Sequence, residues 1–347
     1  MKILIVASNM VHIKNFHLPY IEKMKNLGHS VYIMANGEGA DFQIPFEKST
    51  LSFKNFRLSF KIRKIIKNNS FDAVFLHTSL AAFWTRLAMK GMKKRPTVVN
   101  TVHGYLFGNG CTKLHNFVYL SCERLLKKQT DSIIVMNNED YKIATGNKLS
   151  LGDVYFINGM GVDFKKQSHI SDFVNENGKN LTFVGEISKR KNQIILVKAM
   201  KYLPDEYTLT LVGDGDERGT IEKYIRKNNL EKRVQITGFT QKVYEYINKA
   251  DIYVSASKIE GLPFNIMEAM YLKKPIIASR IKGHTDLLDE KCLFCPYRVE
   301  ELVSLIKSTE IKEVFYEIDK YSKDSILDEN VALYLSLVGD KKQQAVV

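Results

Sequence analysis

The sequence predicts an α/β protein made of two doubly wound parallel-sheet domains. Three observations predict it. Short apolar runs rich in Val and Ile alternate with stretches of helical periodicity, the pattern of parallel strands buried beneath helices on both faces. The alternation lapses over residues 158–180, which turn polar and glycine-rich, and restarts at Leu181-Thr-Phe-Val-Gly185. A chain of 347 residues is also long for one core and suits two.

In the first half, strands are expected at Ile3–Ala7, Ser30–Met34, Ala73–His77, Thr97–Val102, Ser132–Met136 and Val154–Ile157. Helices are expected at Phe16–Leu27, Ser59–Asn68, Leu80–Lys90 and Leu114–Lys127. In the second half, strands follow at Leu181–Gly185, Thr208–Val212, Val234–Thr237, Ile252–Ser255 and Ile276–Ala278, with helices between them. The tail from Ser308 has helical stretches and no strand, and is expected to pack back on the first domain. The expected division is therefore 1–165, 166–320 and a helical tail 321–347. Ligands of such sheets sit beyond the carboxyl ends of the strands, and two facing sheets make a cleft.

Composition is that of a globular protein, 45% apolar and 26% charged, and no apolar run approaches the ~20 residues of a membrane span. Met1–Met10 reads as a buried first strand rather than a signal peptide. The four cysteines show no staple pattern, and Cys292-Leu-Phe-Cys295 is a CxxC without a second pair, read as packing. A cytosolic setting fits. The net charge of +13 is lopsided. Residues 1–165 hold 23 Lys and Arg against 11 Asp and Glu, a balance of +12, while the remainder holds 28 against 27. One half therefore faces something anionic: a membrane surface, a nucleic acid or a phosphorylated lipid. The densest basic segment, Phe53–Lys67, places Phe53, Phe56 and Phe60 on one helical face and Lys54, Arg57, Lys61 and Lys64 elsewhere. Such a helix suits an interfacial anchor or packs its apolar face on the sheet, and both can hold for one helix.

The most informative stretch is Glu260-Gly-Leu-Pro-Phe-Asn-Ile-Met-Glu268, two acids with seven residues between them, flanked by strand-like Ile252–Ala256 and Pro275–Ser279. It reads strand, tight turn, helix, strand, with Pro263 suited to a first helical position. A helix N-terminus at the end of a parallel strand offers amides and a positive dipole end to phosphate. An acid on that helix reaches a sugar hydroxyl beside the phosphate, so the segment has the grammar of a nucleotide-sugar site. Lys189, Arg190 and Lys191 follow the first strand of the same domain and suit a diphosphate; by themselves they also read as a solvated helix-start charge run. Gly213-Asp-Gly-Asp216 mimics a metal-binding DxD or a dinucleotide fingerprint, but the third glycine would fall at Arg218 and the strand is not the first of its domain, so it reads as a tight turn. His103, followed by Gly at a strand end, either points into the cleft or is a structural histidine. Ser8–His17, with His12, Lys14, Asn15 and His17, is read as a polar substrate-contacting loop. His77 is a weaker strand-end candidate. Gly283-His284-Thr-Asp286 either lines the donor side or starts a helix with a capping residue.

Together these residues resemble the retaining glycosyltransferases of family 4, which have the GT-B fold. The EX7E motif Glu260–Glu268 carries most of the likeness, supported by Val184-Gly185 with Lys191-Asn192, Gly213–Arg218, and Gly238-Phe239 before Ala250-Asp251. Within the family, Lys14–His17, Val102–Tyr105 and Arg280–His284 are similar to bacterial capsular and exopolysaccharide enzymes. The resemblance implies that Glu268 binds the donor ribose and that Glu260 holds the donor sugar or lies near its reacting face. Lys191, with Arg190 beside it, would neutralise the departing diphosphate. Amides over Gly261, Leu262, Pro263 and Phe264 would cradle phosphate, with Gly238 and Phe239 also on the donor side. His103 would serve the sugar, and His12, Lys14, Asn15 and Tyr105 the acceptor. Many members carry Arg after the glycine of this domain's first strand; here that residue is Glu186, and Arg190 stands in for the charge.

The implied reaction moves a sugar, with retention, from a nucleotide-sugar donor of UDP type to a polyprenyl-diphosphate-linked saccharide. No cofactor or metal is expected, because cations and amides meet the demand of a diphosphate leaving group, and no nucleic acid is expected as partner. The basic first domain would dock on anionic lipid at the inner face of the cytoplasmic membrane. Rival readings are a GT-B sugar-nucleotide epimerase or hydrolase, a nicotinamide dehydrogenase, which lacks a first-strand GxGxxG, and a charge-driven binding protein, which has no use for the acid pair.

Overall fold

The computed structural model describes residues 1–47, 52–164 and 179–344. Two compact units result, one of Met1–Gly161 with Lys323–Val347 and one of Val162–Ser322. Residues 165–178 of the expected linker lie outside the described residues.

The first unit contains the strands β1 (Lys2–Asn9), β2 (Ser30–Asn36), β3 (Phe42–Gln43), β4 (Ala73–His77), β5 (Thr97–Val102), β6 (Ser132–Val135) and β7 (Val154–Phe156). Among the described residues they form one parallel sheet in the order β3-β2-β1-β4-β5-β6-β7. Every residue of β4, β5 and β6 is buried, which is why these strands read as mainly apolar runs rather than as alternating ones. The helices are α1 (Met10–Phe16), α2 (Leu18–Asn26), α3 (Phe53–Asn69), α4 (Ser79–Met89), α5 (Lys113–Leu126) and α6 (Asn138–Gly146). The expected loop Ser8–His17 is largely helix α1. The Asn9 side chain accepts from His12 N at 2.9 Å, satisfying one of the helix's free amides, and Met10 and Ile13 bury one face. His17 separates α1 from α2, where Pro19 in the first turn starts a new helix.

Helix α3 divides its apolar residues between two faces. It packs through Asn55, Ser59, Ile62 and Ile66. Phe53, Phe56 and Phe60 remain 86%, 47% and 62% exposed, so the aromatic face does not lie on the sheet.

The chain leaves the first unit at Gly161 and returns at Lys323 as α12 (Lys323–Gln344). Asn330 donates to Tyr20 Oη and to Gly159 O, each at 3.0 Å, and the Tyr334 hydroxyl meets Thr101 Oγ1 at 2.6 Å. These buried polar contacts fasten the tail to α2 and β5.

Helix α5 buries only Leu126 completely; besides packing Tyr119 and Leu120 on the core, it is anchored by charge. Arg86 on α4, 1% exposed, forks onto both carboxylate oxygens of Glu123 at 2.8 and 2.9 Å and also reaches Thr130 and Ala82 O. Glu123→Ala leaves a buried guanidinium without its counter-ion. A loss of about 3–5 kcal/mol is expected, read as a fall in the urea midpoint; an unchanged midpoint would refute this account of α5.

The second unit holds β8 (Lys179–Val184), β9 (Tyr207–Val212), β10 (Val234–Gly238), β11 (Ile252–Ser255), β12 (Ile276–Ser279) and β13 (Leu293–Phe294). They are parallel and ordered β10-β9-β8-β11-β12-β13. Helices α7 (Gln193–Ala199), α8 (Arg218–Lys227), α9 (Val243–Asn248), α10 (Phe264–Tyr271) and α11 (Val299–Ser308) cover them. One apolar core joins Phe183, Leu211, Val254 and Ile277 to α7, α8 and α11; a second joins Tyr253, Ile276 and Ala278 to α10.

Candidate active site

In the second unit β8 lies between β9 and β11. Connections from neighbouring strands depart in opposite directions there, which opens a crevice at the carboxyl ends. The exits from β8 and β11 are the segments 185–192 and 256–263, and hydrogen bonds zip them together. Lys258 N donates to Arg190 O at 2.8 Å. Asn192, buried and left-handed at φ 57°, donates its side-chain amide to Ala256 O at 3.2 Å and Pro296 O at 2.9 Å. Asn tolerates that backbone better than most residues.

This zipper brings the predicted charges into contact. Lys191 Nζ lies 2.6 Å from Glu260 Oε1, and Arg190 Nη1 lies 3.2 Å from Glu260 Oε2. The side chains of Glu260 and Lys191 are only 9% and 12% exposed. Burial by itself would raise the Glu260 carboxyl; Lys191 and then Arg190 outweigh it and hold the group at about 2. Arg190 Nη2 also lies 4.0 Å from Glu186, so the arginine is shared between two acids. Lys189 joins neither. It is 87% exposed and 3.9 Å from Glu217, the solvated position its sequence context allowed.

Pro263 caps α10 rather than opening it, with ψ 119°. Gly261 and Leu262 form the turn before it, and Phe264 begins the helix. The 283–286 segment is a turn, not the expected helix start. Asp286 accepts from Gly283 N at 3.0 Å, and buried His284 is held by Ser279 O at 2.7 Å and Ser255 Oγ at 3.3 Å. Gly283, at φ 81°, lies so close that a Cβ there would overlap Gly261 O. The histidine turn thus packs directly against the Gly261–Pro263 turn.

Glu268 sits in the second turn of α10, half-buried, and accepts from the Tyr244 hydroxyl of α9 at 2.9 Å. Burial pushes its carboxyl up to about 7, against the opposing pull of Tyr244. The two glutamates of the motif are therefore electrically unlike. One is clamped as an anion, and the other titrates near neutrality.

Gly213 and Gly215 prove to be packing glycines. A Cβ on Gly213 would overlap Gly185 O, and one on Gly215 would overlap Ile187 O, while Ile187 N donates to Asp214 O at 2.9 Å. The turn holds the β8 exit, and Arg218 pairs with Asp214 and Glu222 at its back. Gly238 ends β10 at φ 78°, two strands from β8, with Phe239 83% exposed beside it.

In the first unit β1 occupies the equivalent switch position, between β2 and β4. Four histidines gather at the carboxyl ends of β1, β4 and β5: His12 on α1, His17 behind it, His77 ending β4, and His103 after β5. His17 Nε2 lies 3.1 Å from His12 Nε2, and His77 Nδ1 lies 3.1 Å from His103 Nε2. The His17 and His77 rings are 3.8 Å apart between centroids. Burial lowers all four, His12 to about 4. Lys14 and Asn15 lie exposed on α1. Tyr105, expected on the acceptor side, is instead a core residue. It is 4% exposed, its ring is 4.8 Å from that of Phe107, and its amide donates to Asp140; its aromatic bulk fills the space between β5 and α6.

Sequence reasoning did not assign Tyr244 to the site, gave Asn192 no role beyond its place in the family motif, and named His17 and His77 only singly, not as a contacting pair. Asn192 had a local signal, an Asn at a strand-to-helix turn. The others depend on tertiary placement.

Two family models match the chain. Residues 20–145 match Glycosyltransferase Family 4, and residues 164–324 match Glycosyl transferases group 1. The chain is similar to the putative glycosyltransferase EpsD of Bacillus subtilis, at 29% identity over 307 residues, which covers 83% of this chain and 81% of the relative. It is 27% identical over 251 residues to an Escherichia coli UDP-Gal:α-D-GlcNAc-diphosphoundecaprenol α-1,3-galactosyltransferase, covering 68% of this chain and 64% of that one. The crystal structure of Anabaena HepE in complex with UDP and glucose superposes over 100% of this chain and 99% of its own, with a TM-score of 0.68 at 17% identity. Such a likeness extends to the fold, which is GT-B. With a glycosyltransferase model matching each unit and the EX7E segment following β11, which adjoins the switch-point strand of the second, the chain belongs to the family 4 glycosyltransferases.

Proposed function

We propose that this glycosyltransferase moves a sugar, with retention, from a UDP-sugar to a polyprenyl-diphosphate-linked saccharide, acting peripherally at the inner face of the cytoplasmic membrane. The observation that carries the reading is the Lys191–Glu260–Arg190 cluster at the switch point, followed one helix later by Glu268. Glu260 holds both cations in place before any donor arrives. Preorganised charge of this kind stabilises a departing diphosphate without paying for reorganisation during the reaction. Lys191 and Arg190 take the diphosphate, so its departure requires no metal ion. The turn Gly261–Phe264 and the α10 N-terminus take phosphate oxygens, Glu268 the ribose hydroxyls, and Glu260 keeps its place beside the donor sugar. His103 serves a sugar hydroxyl. His12, Lys14 and Asn15 line the acceptor side, and Gly238 and Phe239 stay on the donor side. In front-face attack the leaving phosphate accepts the acceptor's proton, so no separate base is called for.

Two relatives support the substrate classes: one is named for UDP-Gal and a diphosphoundecaprenol acceptor, the other was crystallised with UDP and glucose. The membrane part rests on charge and exposed apolar faces. The first 165 residues carry the +12 balance. Besides the α3 phenylalanines, α5 leaves Leu114, Phe117, Val118 and Leu125 between 46% and 73% exposed, with Lys113 and Arg124 on the same helix. No described helix is long and apolar enough to cross a membrane.

The test is transfer from a panel of labelled nucleotide sugars to polyprenyl-diphosphate saccharides in anionic and in neutral vesicles. Acceptor-dependent transfer from a UDP-sugar, faster on anionic vesicles and suppressed by salt, is expected, with the donor's anomeric configuration kept in the product. Donor consumption at the same rate without acceptor would favour the epimerase or hydrolase instead. Equal recovery of the protein on both vesicle types, unaffected by salt, would remove the membrane.

A further inference from the structure

The histidine cluster has a property that the transfer reaction does not use. Suitable ring nitrogens of His12, His17 and His103 all lie within 4.8 Å of one another, and His12 and His17 present Nε2 atoms 3.1 Å apart. Two imidazoles on one tetrahedral ion, with metal–nitrogen bonds of about 2.0–2.1 Å, sit about 3.3 Å apart. The His12–His17 pair already has that spacing. The scaffold fixes it: His12 is on a helix capped by Asn9, and His17 closes the same helix with its amide on Ile13 O at 2.8 Å. His77, fully buried at the end of β4, orients the His103 ring through its 3.1 Å contact and packs on His17. His77 thereby gives His103 an outer partner of the kind that orients metal-binding histidines. Neutral imidazoles suit Zn²⁺, Ni²⁺, Cu²⁺ and Co²⁺, and a three-histidine set leaves one position open.

We propose that His12, His17 and His103 form a binding site for one divalent transition-metal ion with an open coordination position. The site stands apart from diphosphate neutralisation by Lys191 and Arg190. One consequence rests on the function proposed above: an ion held by His103 occupies the residue assigned to the sugar, so metal and substrate compete.

The test is titration of the chelator-treated full chain with Co²⁺ in the absence of any nucleotide sugar, so that failure of the transferase reading cannot affect it. One equivalent should bind with the intense visible absorption of four-coordinate cobalt, and Zn²⁺ should bleach it. His12→Gln and His17→Gln should each weaken binding by at least the roughly 10–100-fold that loss of a mere supporting partner costs. His17 is buried and its variant is the less tolerant of the two; His12 is half-buried on a short surface helix, so His12→Gln decides if His17→Gln does not fold. A spectrum that remains that of the aqua ion, or variants that take up one equivalent as tightly as the parent, would overturn the site and leave the cluster as hydrogen-bonded neutral imidazoles.

Discussion

Lys191→Ala should lower kcat by about 10²–10³-fold with a much smaller change in donor KM. That is the range observed when one preorganised group facing developing charge is removed. Lys191 is well placed for such an effect: its side chain is 12% exposed and its Nζ is 2.6 Å from a carboxylate that is itself 9% exposed. Water is largely excluded there, so the charge is weakly screened. Arg190 does not replace it, being 43% exposed and divided between Glu260 and Glu186. The same substitution also acts on stability. The Glu260 carboxyl is held at about 2, so its contribution is present above the ordinary carboxylate range and is lost only as pH falls toward 2. Without Lys191 its pKa rises, that contribution shrinks, and acid unfolding should begin at higher pH. The double variant Lys191→Met/Glu260→Met separates the two roles. Replacing both partners of a buried pair by apolar groups is often neutral or stabilising, so stability should return while turnover stays low. A Lys191→Ala enzyme within twofold of the parent kcat would place the diphosphate elsewhere.

What the sequence made legible follows the range of the interactions involved. The strands Ala73–His77, Thr97–Val102 and Ile252–Ser255 have the expected bounds, because burial on both faces writes short runs dominated by apolar residues, even where Asn100 and Thr101 interrupt the second. The acid pair, its turn and its helix were legible for the same reason, being contiguous. Two-residue strands such as Phe42–Gln43 and Leu293–Phe294 are too short to show a period. Helix α1 was hidden by His12, Lys14 and Asn15, because a seven-residue helix with only Met10 and Ile13 buried carries little apolar stripe. The Tyr105 ring was misjudged because the resemblance that quoted Val102–Tyr105 does not say which way each of its side chains faces, and the ring is buried in the core. The clamp of Lys191 and Arg190 on Glu260 spans about 70 residues, and the histidine cluster draws on four separate chain positions. Each member reads alone as an ordinary polar residue; only the parallel topology, which places strand ends side by side, gathers them.

Glu268→Gln should weaken donor binding about 10–100-fold at pH 8 while making the free protein more stable. Both effects come from one carboxyl whose pKa burial pushes up to about 7. Above pH 7 the native state carries a partly buried anion, held chiefly by the Tyr244 hydroxyl at 2.9 Å. On the function proposed above, two ribose hydroxyls would donate charge-assisted hydrogen bonds to that anion, each worth about 1.5–3 kcal/mol; the neutral amide offers a weaker acceptor. The stability sign is the reverse of that for Glu260. Between its unfolded value near 4.5 and its folded value near 7, the native state binds the extra proton, so the parent loses stability as pH rises through that window. The loss is bounded at about 1.4 kcal/mol for each pH step of one across the window, and partial exposure reduces it. The glutamine variant does not titrate. Its Tm should therefore match the parent near pH 5 and exceed it at pH 8, and its donor affinity should be flat across the range where the parent's rises. Tyr244→Phe removes the hydrogen bond that favours the anion, so the parent's affinity profile should move to higher pH. Parallel Tm curves for Glu268→Gln and parent from pH 5 to 8 would show that the carboxyl ionises normally. A Glu268→Gln variant with parental donor affinity at pH 8 would instead place the ribose away from α10, and the two outcomes are independent because one is read without donor and the other with it.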